Sequence, residues 1–239
     1  VTLANNHALD FGPTALLDTL DHLHRAGIAT VGAGRDESEA RRPAVLDAGG
    51  LRVGVVGFTD HPPDYAAGPG RPGVAYADLR RGPPRWVLDT VATLGTDVVV
   101  VTPHWGPNMV AEPVPSVRRA AEALRAAGAT LVAGHSAHVF HGVSGLVLYD
   151  LGDFIDDYVT DPDLRNDLGL LVTVTFEDGR PARLEAVPLA LDFCRTRLAE
   201  PAEAAWVTDR FGRACSALGT HITDRHGVLV AEWEAPHPD

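Results

Sequence analysis

At 239 residues and 45% apolar composition, the chain is long enough to bury a core as one domain, or as one domain with an appendage. Its formal charge of -12 argues against nucleic acid and against an acidic membrane surface, both of which are bound by concentrated Lys and Arg. Every basic residue is an arginine, and the lack of lysine removes a Walker-A phosphate loop, a kinase lysine and Schiff-base chemistry together.

The chain begins at Val1 inside an apolar stretch, as a piece cut from a longer protein would. Residues 1–4 read as a buried strand and residues 5–12 as the loop after it. Pro13 opens a helix whose apolar face is Leu16, Leu17, Leu20 and Leu23, closed by Gly27. Residues 28–31 form the next strand. The Gly32-Ala33-Gly34 turn after it lacks the third glycine of a dinucleotide loop, since Arg35, Asp36 and Glu37 follow. Residues 51–58 form a valine-rich strand paired with residues 44–46. Residues 59–84 are dominated by proline and glycine and read as a flap over a site.

Residues 86–94 are helical, 97–102 a buried strand, and 116–127 an amphipathic helix with Val117, Ala120, Ala121 and Leu124 inward. Gly128 leads into the strand at Leu131. A strand, helix and strand in this order give a right-handed crossover with parallel strands. The period then changes. Residues 146–151 form a strand, and residues 170–177 and 182–189 alternate as an antiparallel hairpin through Asp178-Gly179. Residues 201–218 are helical and residues 228–233 a last strand. Two sheets packed on each other with helices outside are expected, residues 1–190 forming the main domain and residues 191–239 a helix–strand extension on it. Cys194 and Cys215 are too few for a zinc knuckle or disulfide framework and read as free thiols. No apolar run reaches transmembrane length and no signal-peptide pattern opens the chain; this favours the cytoplasm, unless an upstream segment anchors the protein outside the cell.

Three of the predicted strands end in histidine. Asn6 and His7 follow residues 1–4, His104 follows the strand at residues 97–102, and His135 and His138 follow Gly134 after the strand at Leu131. In an open α/β sheet, ligands gather beyond the carboxyl ends of the strands, so these turns are expected to face a common pocket. Imidazole nitrogen with amide oxygen suits Zn, Mn or Fe rather than Ca or Mg. A metal held this way polarises a phosphoryl oxygen and lowers the pKa of bound water to about 7. His7, pointing the other way from Asn6, is then placed to protonate a leaving oxygen. Asp10 reads as a cap for the Pro13 helix. Asp156, Asp157, Asp161 and Asp163 read as a solvated acidic loop, and His22, His24, His141, His221 and His226 as surface or structural histidines.

The block from Val1 to Gly12, with His104-Trp105-Gly106, Gly134-His135-Ser136-Ala137-His138 and Tyr149-Asp150-Leu151-Gly152-Asp153-Phe154, resembles the CapA family of poly-γ-glutamate capsule biosynthesis proteins. The resemblance runs in order from residue 1 to about residue 160. It implies a mixed α/β calcineurin-like metallophosphoesterase fold, with two mixed sheets between helical layers. It also implies a site for two divalent ions, Mn, Fe or Zn, in the complete protein. By motif position Asn6, His104 and His135 are ligands of one metal, His138 reaches the other, and His7 is the catalytic histidine. The family begins with a Gly-Asp strand end and further carboxylates, and this chain starts after them, so weak metal binding is expected of it. Asn108 stands where the family usually has glutamate. Ser136-Ala137 replaces His-Pro, and Asp153 replaces an asparagine, adding an acid near the cleft that is a candidate to substitute in part as a ligand. Asp10, Asn108 and Asp153 are the residues expected to support the ligands.

The first expectation is a metal-dependent hydrolase acting on a phosphate ester or similar anionic bond, of a small molecule or a polymer, within polyglutamate capsule synthesis. The alternative is a non-catalytic binding component of polyglutamate synthesis or envelope assembly. A charge of -12 repels a long polyanion unless metal or arginine offsets it, which ranks the enzyme first. A metal-dependent amidohydrolase barrel needs eight parallel strands, and the Asp178-Gly179 hairpin argues against it. No protein partner is indicated by the sequence.

Overall fold

A computed structural model describes residues 1–233. It comprises two compact units, Val1–Gly106 with Val114–Gly134, and Pro107–Pro113 with the chain from His135 onward.

In the first unit, Val1 to Leu3 pairs with residues 29–31 through the Thr2–Val31 bridge and the flanking backbone hydrogen bonds. Both segments are shorter as strands than their apolar runs suggest, and Val1 and Ile28 are exposed. The expected helix is α1 (Gly12–Arg25), with a proline in its first turn and Leu16 and Leu20 buried. Leu16 and Leu20 pack with Ala33 and Val74, and Leu3, Ala8, Leu9 and Tyr65 close over them, which fixes the turn between residue 4 and α1. Ala33 belongs to β1 (Ala33–Gly34). The glycines around it serve close packing, since a Cβ at Gly32 would meet Ala4 and one at Gly34 would meet the Ala40 amide. Asp36 then caps α2 (Glu37–Ala40) by accepting the Glu39 amide.

β2 (Ala44–Ala48) and β3 (Leu51–Thr59) form the expected antiparallel pair. A 3-10 turn follows at Pro63–Tyr65, then β4 (Gly73–Val74). The segment expected to form a flap is tied into the unit. β4 pairs with β1, the Thr59 and Ala77 backbones lock residues 59–77 together, and Val74, Ala75, Ala77 and Leu79 are buried. Turn-rich composition concealed four inward apolar side chains. α3 (Arg85–Thr93), β5 (Val98–His104), α4 (Pro115–Ala126) and β6 (Leu131–Ala133) follow. α4 buries Val117, Ala120, Ala121 and Leu124, the face its periodicity predicts. β5 lies parallel between β3 and β6, with Val53 to Thr59 opposite Val98 to His104 and Val100 opposite Leu131. The crossover is therefore the parallel one expected, and β3 and β5 end side by side.

In the second unit, β7 (Val143–Ser144) and β8 (Val147–Leu148) make a short hairpin where one strand was expected. β9 (Leu168–Glu177) and β10 (Arg180–Asp192) form the long predicted hairpin, with Asp178 and Gly179 both at positive φ as a two-residue turn requires. β11 (Arg195–Leu198), α5 (Pro201–Ala217), β12 (Thr223–Arg225) and β13 (Val228–Glu232) complete it. β10 is central, pairing antiparallel with β9, β11 and β13. Because β10 runs through residue 190, strands β11, β12 and β13 share one sheet with residues before it. α5 buries Val207, Phe211 and Cys215, with Phe211 edge-on to Phe140. Among the described residues no helix is long and apolar enough to cross a membrane, and the chain is mixed α/β as expected.

Candidate metal centre

In the first unit the chemistry-bearing residues stand at strand ends. His104 is the last residue of β5, which runs two residues beyond the end expected at residue 102, and it is buried. Beside it β3 gives way to Asp60, whose amide donates to the His104 carbonyl at 3.0 Å and whose Oδ2 accepts the Gly106 amide at 3.0 Å. The other oxygen of Asp60 meets Nδ1 of His61, and the His61 ring lies 4.8 Å from the His104 ring. The Nε2 atom of His104 is shielded from solvent.

Asn5, Asn6 and His7 form the turn before α1. Asn5 Oδ1 accepts the His7 amide at 2.9 Å, Asn6 is half-buried, and His7 is exposed. Asp10 does not cap the helix. The N-cap position is Phe11, with no side-chain cap, and Asp10 instead takes the Nδ1 side of His7 at 2.7 Å and the Tyr65 hydroxyl at 3.3 Å. The reason is register: Asp10 lies one residue before the cap, within reach of an imidazole three residues back. A carboxylate at Nδ1 orients the ring, an arrangement that proton-transferring histidines use.

In the second unit the loop bearing His135 and His138 is held in an uncommon shape. Ser136 and His138 have φ of 133° and 63°, values that non-glycine residues seldom adopt. Asp150 fixes it. Its buried carboxylate accepts the Ala137 amide at 2.8 Å and the Gly152 amide at 2.9 Å, while Met109 donates to the Ala137 carbonyl at 3.0 Å. Burial pushes the Asp150 carboxyl up to about 7 against the pull of those two amides. Burial likewise lowers His135 to about 4, so its imidazole is neutral at physiological pH, the form a metal requires.

His138 turns toward two carboxylates. Its Nδ1 lies 3.0 and 3.1 Å from the oxygens of Asp153 and 3.5 Å from Asp156 Oδ2. The Asp153 carboxylate raises the His138 pKa, and burial, with Asp156 alongside, raises Asp153 to about 6. Against the solvated loop expected there, Asp156 folds inward onto His138, while Asp157 stays exposed and accepts from Cys194. The ligand atoms of His138, Asp153 and Asp156 all lie within 4.8 Å of one another, a spacing and donor set that fit a divalent ion. His141 is structural as expected, buried with Nε2 2.8 Å from the Val110 carbonyl. Asn108 is exposed on the Pro107–Pro113 segment.

The structure thus groups His104 with Asp60 and His61, His7 with Asp10, and His138 with Asp153 and Asp156. Sequence reasoning missed Asp60, His61, Asp150 and Asp156 as site residues. A strand-end signal existed for Asp60 and His61, just past Thr59. For Asp156 the signal was its three-residue spacing from Asp153. Asp150 had none, because a carboxylate serving buried amides looks like any other aspartate.

The sequence model of the family described as "Bacterial capsule synthesis protein PGA_cap" matches residues 1–158. The probable polyglutamine synthesis accessory protein of Mycobacterium tuberculosis is 34% identical over 250 aligned residues, covering 95% of this chain and 65% of that protein. The PGA biosynthesis protein CapA of Bacillus subtilis is 33% identical, with coverage of 64% and 41%. The capsule biosynthesis protein CapA of Bacillus anthracis is 30% identical, with coverage of 79% and 47%. The chain therefore spans from under half to about two thirds of the length of these relatives.

Proposed function

The chain belongs to the bacterial capsule synthesis family described as PGA_cap, and on that premise we propose that it serves polyglutamate capsule synthesis as a metal-dependent hydrolase of phosphate esters or similar anionic bonds. The observation that carries the reading is the pair of imidazoles on one clamped loop, His135 kept neutral by burial and His138 set at positive φ behind the Asp150–Ala137 bond. Asn6, His104, His135 and His138 would serve as ligands for divalent Mn, Fe or Zn. When bound, such ions supply Lewis acidity toward an anionic oxygen and ease deprotonation of water.

The protein's own part is positional. Asp10 orients the His7 ring, and His7 donates a proton to a departing oxygen. Asp60 ties the end of β3 to Gly106 and orients His61 against His104. Asp150 clamps the Ala137 amide and so sets the His138 backbone. A second reading, a non-catalytic component of polyglutamate synthesis, draws on the accessory role in the mycobacterial relative's name.

The test is to purify the full-length gene product, measure bound Mn, Fe and Zn, and assay a generic aryl phosphate with and without chelator. Bound metal with chelator-sensitive turnover supports the hydrolase. Absence of both leaves the binding component.

A further inference from the structure

One nitrogen, Nδ1 of His138, faces three carboxylate oxygens, at 3.0 and 3.1 Å from Asp153 and 3.5 Å from Asp156. An imidazole nitrogen carries at most one hydrogen, so a proton there serves one acceptor well and leaves two like-charged carboxylates crowded against each other. A divalent ion imposes this same spacing. Ligand atoms about 2.1 Å from an ion stand about 3.0 Å apart along an octahedral edge and about 3.4 Å apart in a tetrahedron.

We infer that Asp153 and Asp156 are oxygen ligands which, with His138, hold a divalent cation within the second unit. The inference rests on the metal-dependent reading above and extends it to two residues not taken there as ligands. One imidazole nitrogen with two carboxylates accepts Mn²⁺, Fe²⁺ or Zn²⁺, with Mn²⁺ the weakest bound of the three.

The surrounding chain holds the cluster in place. Gly152 has φ of 71°, and a Cβ there would lie 2.9 Å from the Phe140 amide, so this backbone carries Asp153 closer to His138 than a larger residue permits. A Cβ at Gly169 would lie 2.7 Å from the Asp153 carbonyl, so the start of β9 closes on the same residue. The Tyr158 ring stands edge-on to His138 at 6.0 Å, and the Tyr158 amide donates to Asp156 Oδ1, leaving Oδ2 toward the histidine.

The experiment is titration of the full chain with MnCl₂ alone, followed by calorimetry and by the electron paramagnetic resonance of free Mn²⁺. Asp153→Asn and Asp156→Asn should each weaken Mn²⁺ binding roughly tenfold or more, and Asp178→Asn, in the β9–β10 turn, should not. If both asparagine variants keep full affinity while His138→Ala loses it, the two carboxylates are not ligands and the metal-dependent reading stands. If the unsubstituted protein takes up none of Mn²⁺, Fe²⁺ or Zn²⁺, both fall. Should a substitution unfold the chain, carbodiimide labelling of the unsubstituted protein decides: Mn²⁺ should protect Asp153 and Asp156, and equal labelling with and without the ion overturns the inference.

Discussion

Asp150 accepts the backbone amide of Ala137, thirteen residues earlier, at 2.8 Å from a buried carboxylate, and that bond sets the shape of the histidine loop. The Gly152 amide occupies the other oxygen. Asp150→Ala strands both donors and should cost about 2–4 kcal/mol, read as a lowered urea midpoint at unchanged slope. Asp150→Asn keeps one acceptor oxygen and should cost about half as much.

His135→Ala should lower metal stoichiometry in the purified protein, and His141→Ala should not. Both histidines are shielded, but His141 is committed to the Val110 carbonyl and its loss should appear as reduced thermal stability instead. Equal metal content in the two variants, by elemental analysis, would contradict the ligand assignment.

His7→Ala should lower turnover of an aryl phosphate by about 10²- to 10⁴-fold with metal content unchanged, as loss of a general acid does. Asp10→Ala should act in the same direction through the freed His7 ring. A drop in bound metal in either variant would place His7 among the ligands.

Arg197 grips Glu203 through two hydrogen bonds of 2.8 and 2.9 Å, and Glu203 also accepts the Glu200 amide that opens α5. These hold the Glu203 carboxyl down at about 2, against an ordinary 4.5. A depressed carboxylate contributes stability that is complete above about 4.5 and fades as pH falls toward about 2. Glu203→Gln should therefore flatten the acid limb of melting temperature against pH in that window. An unchanged limb would show that the pair contributes nothing there.

Much of the fold could be read from periodicity. The inward face of α4, the β9–β10 hairpin with its Asp178-Gly179 turn and the parallel pairing of β5 with β6 each follow from side chains a few positions apart. The order within residues 59–84 is not legible in sequence, because its tethers are backbone hydrogen bonds to β1 and β3, which leave no pattern in side-chain identity.

The sequence by itself determined the family and the candidate residues, histidines and an asparagine at strand ends in an order that marks it. Tertiary structure alone decided their partners. Asp10 serves His7 rather than the helix, Asp156 turns inward while Asp157 does not, and Asp150 shapes a loop it never adjoins in sequence. Residue type limits what a side chain can do, whereas direction and distance come from how the backbone closes on itself, which no local pattern encodes.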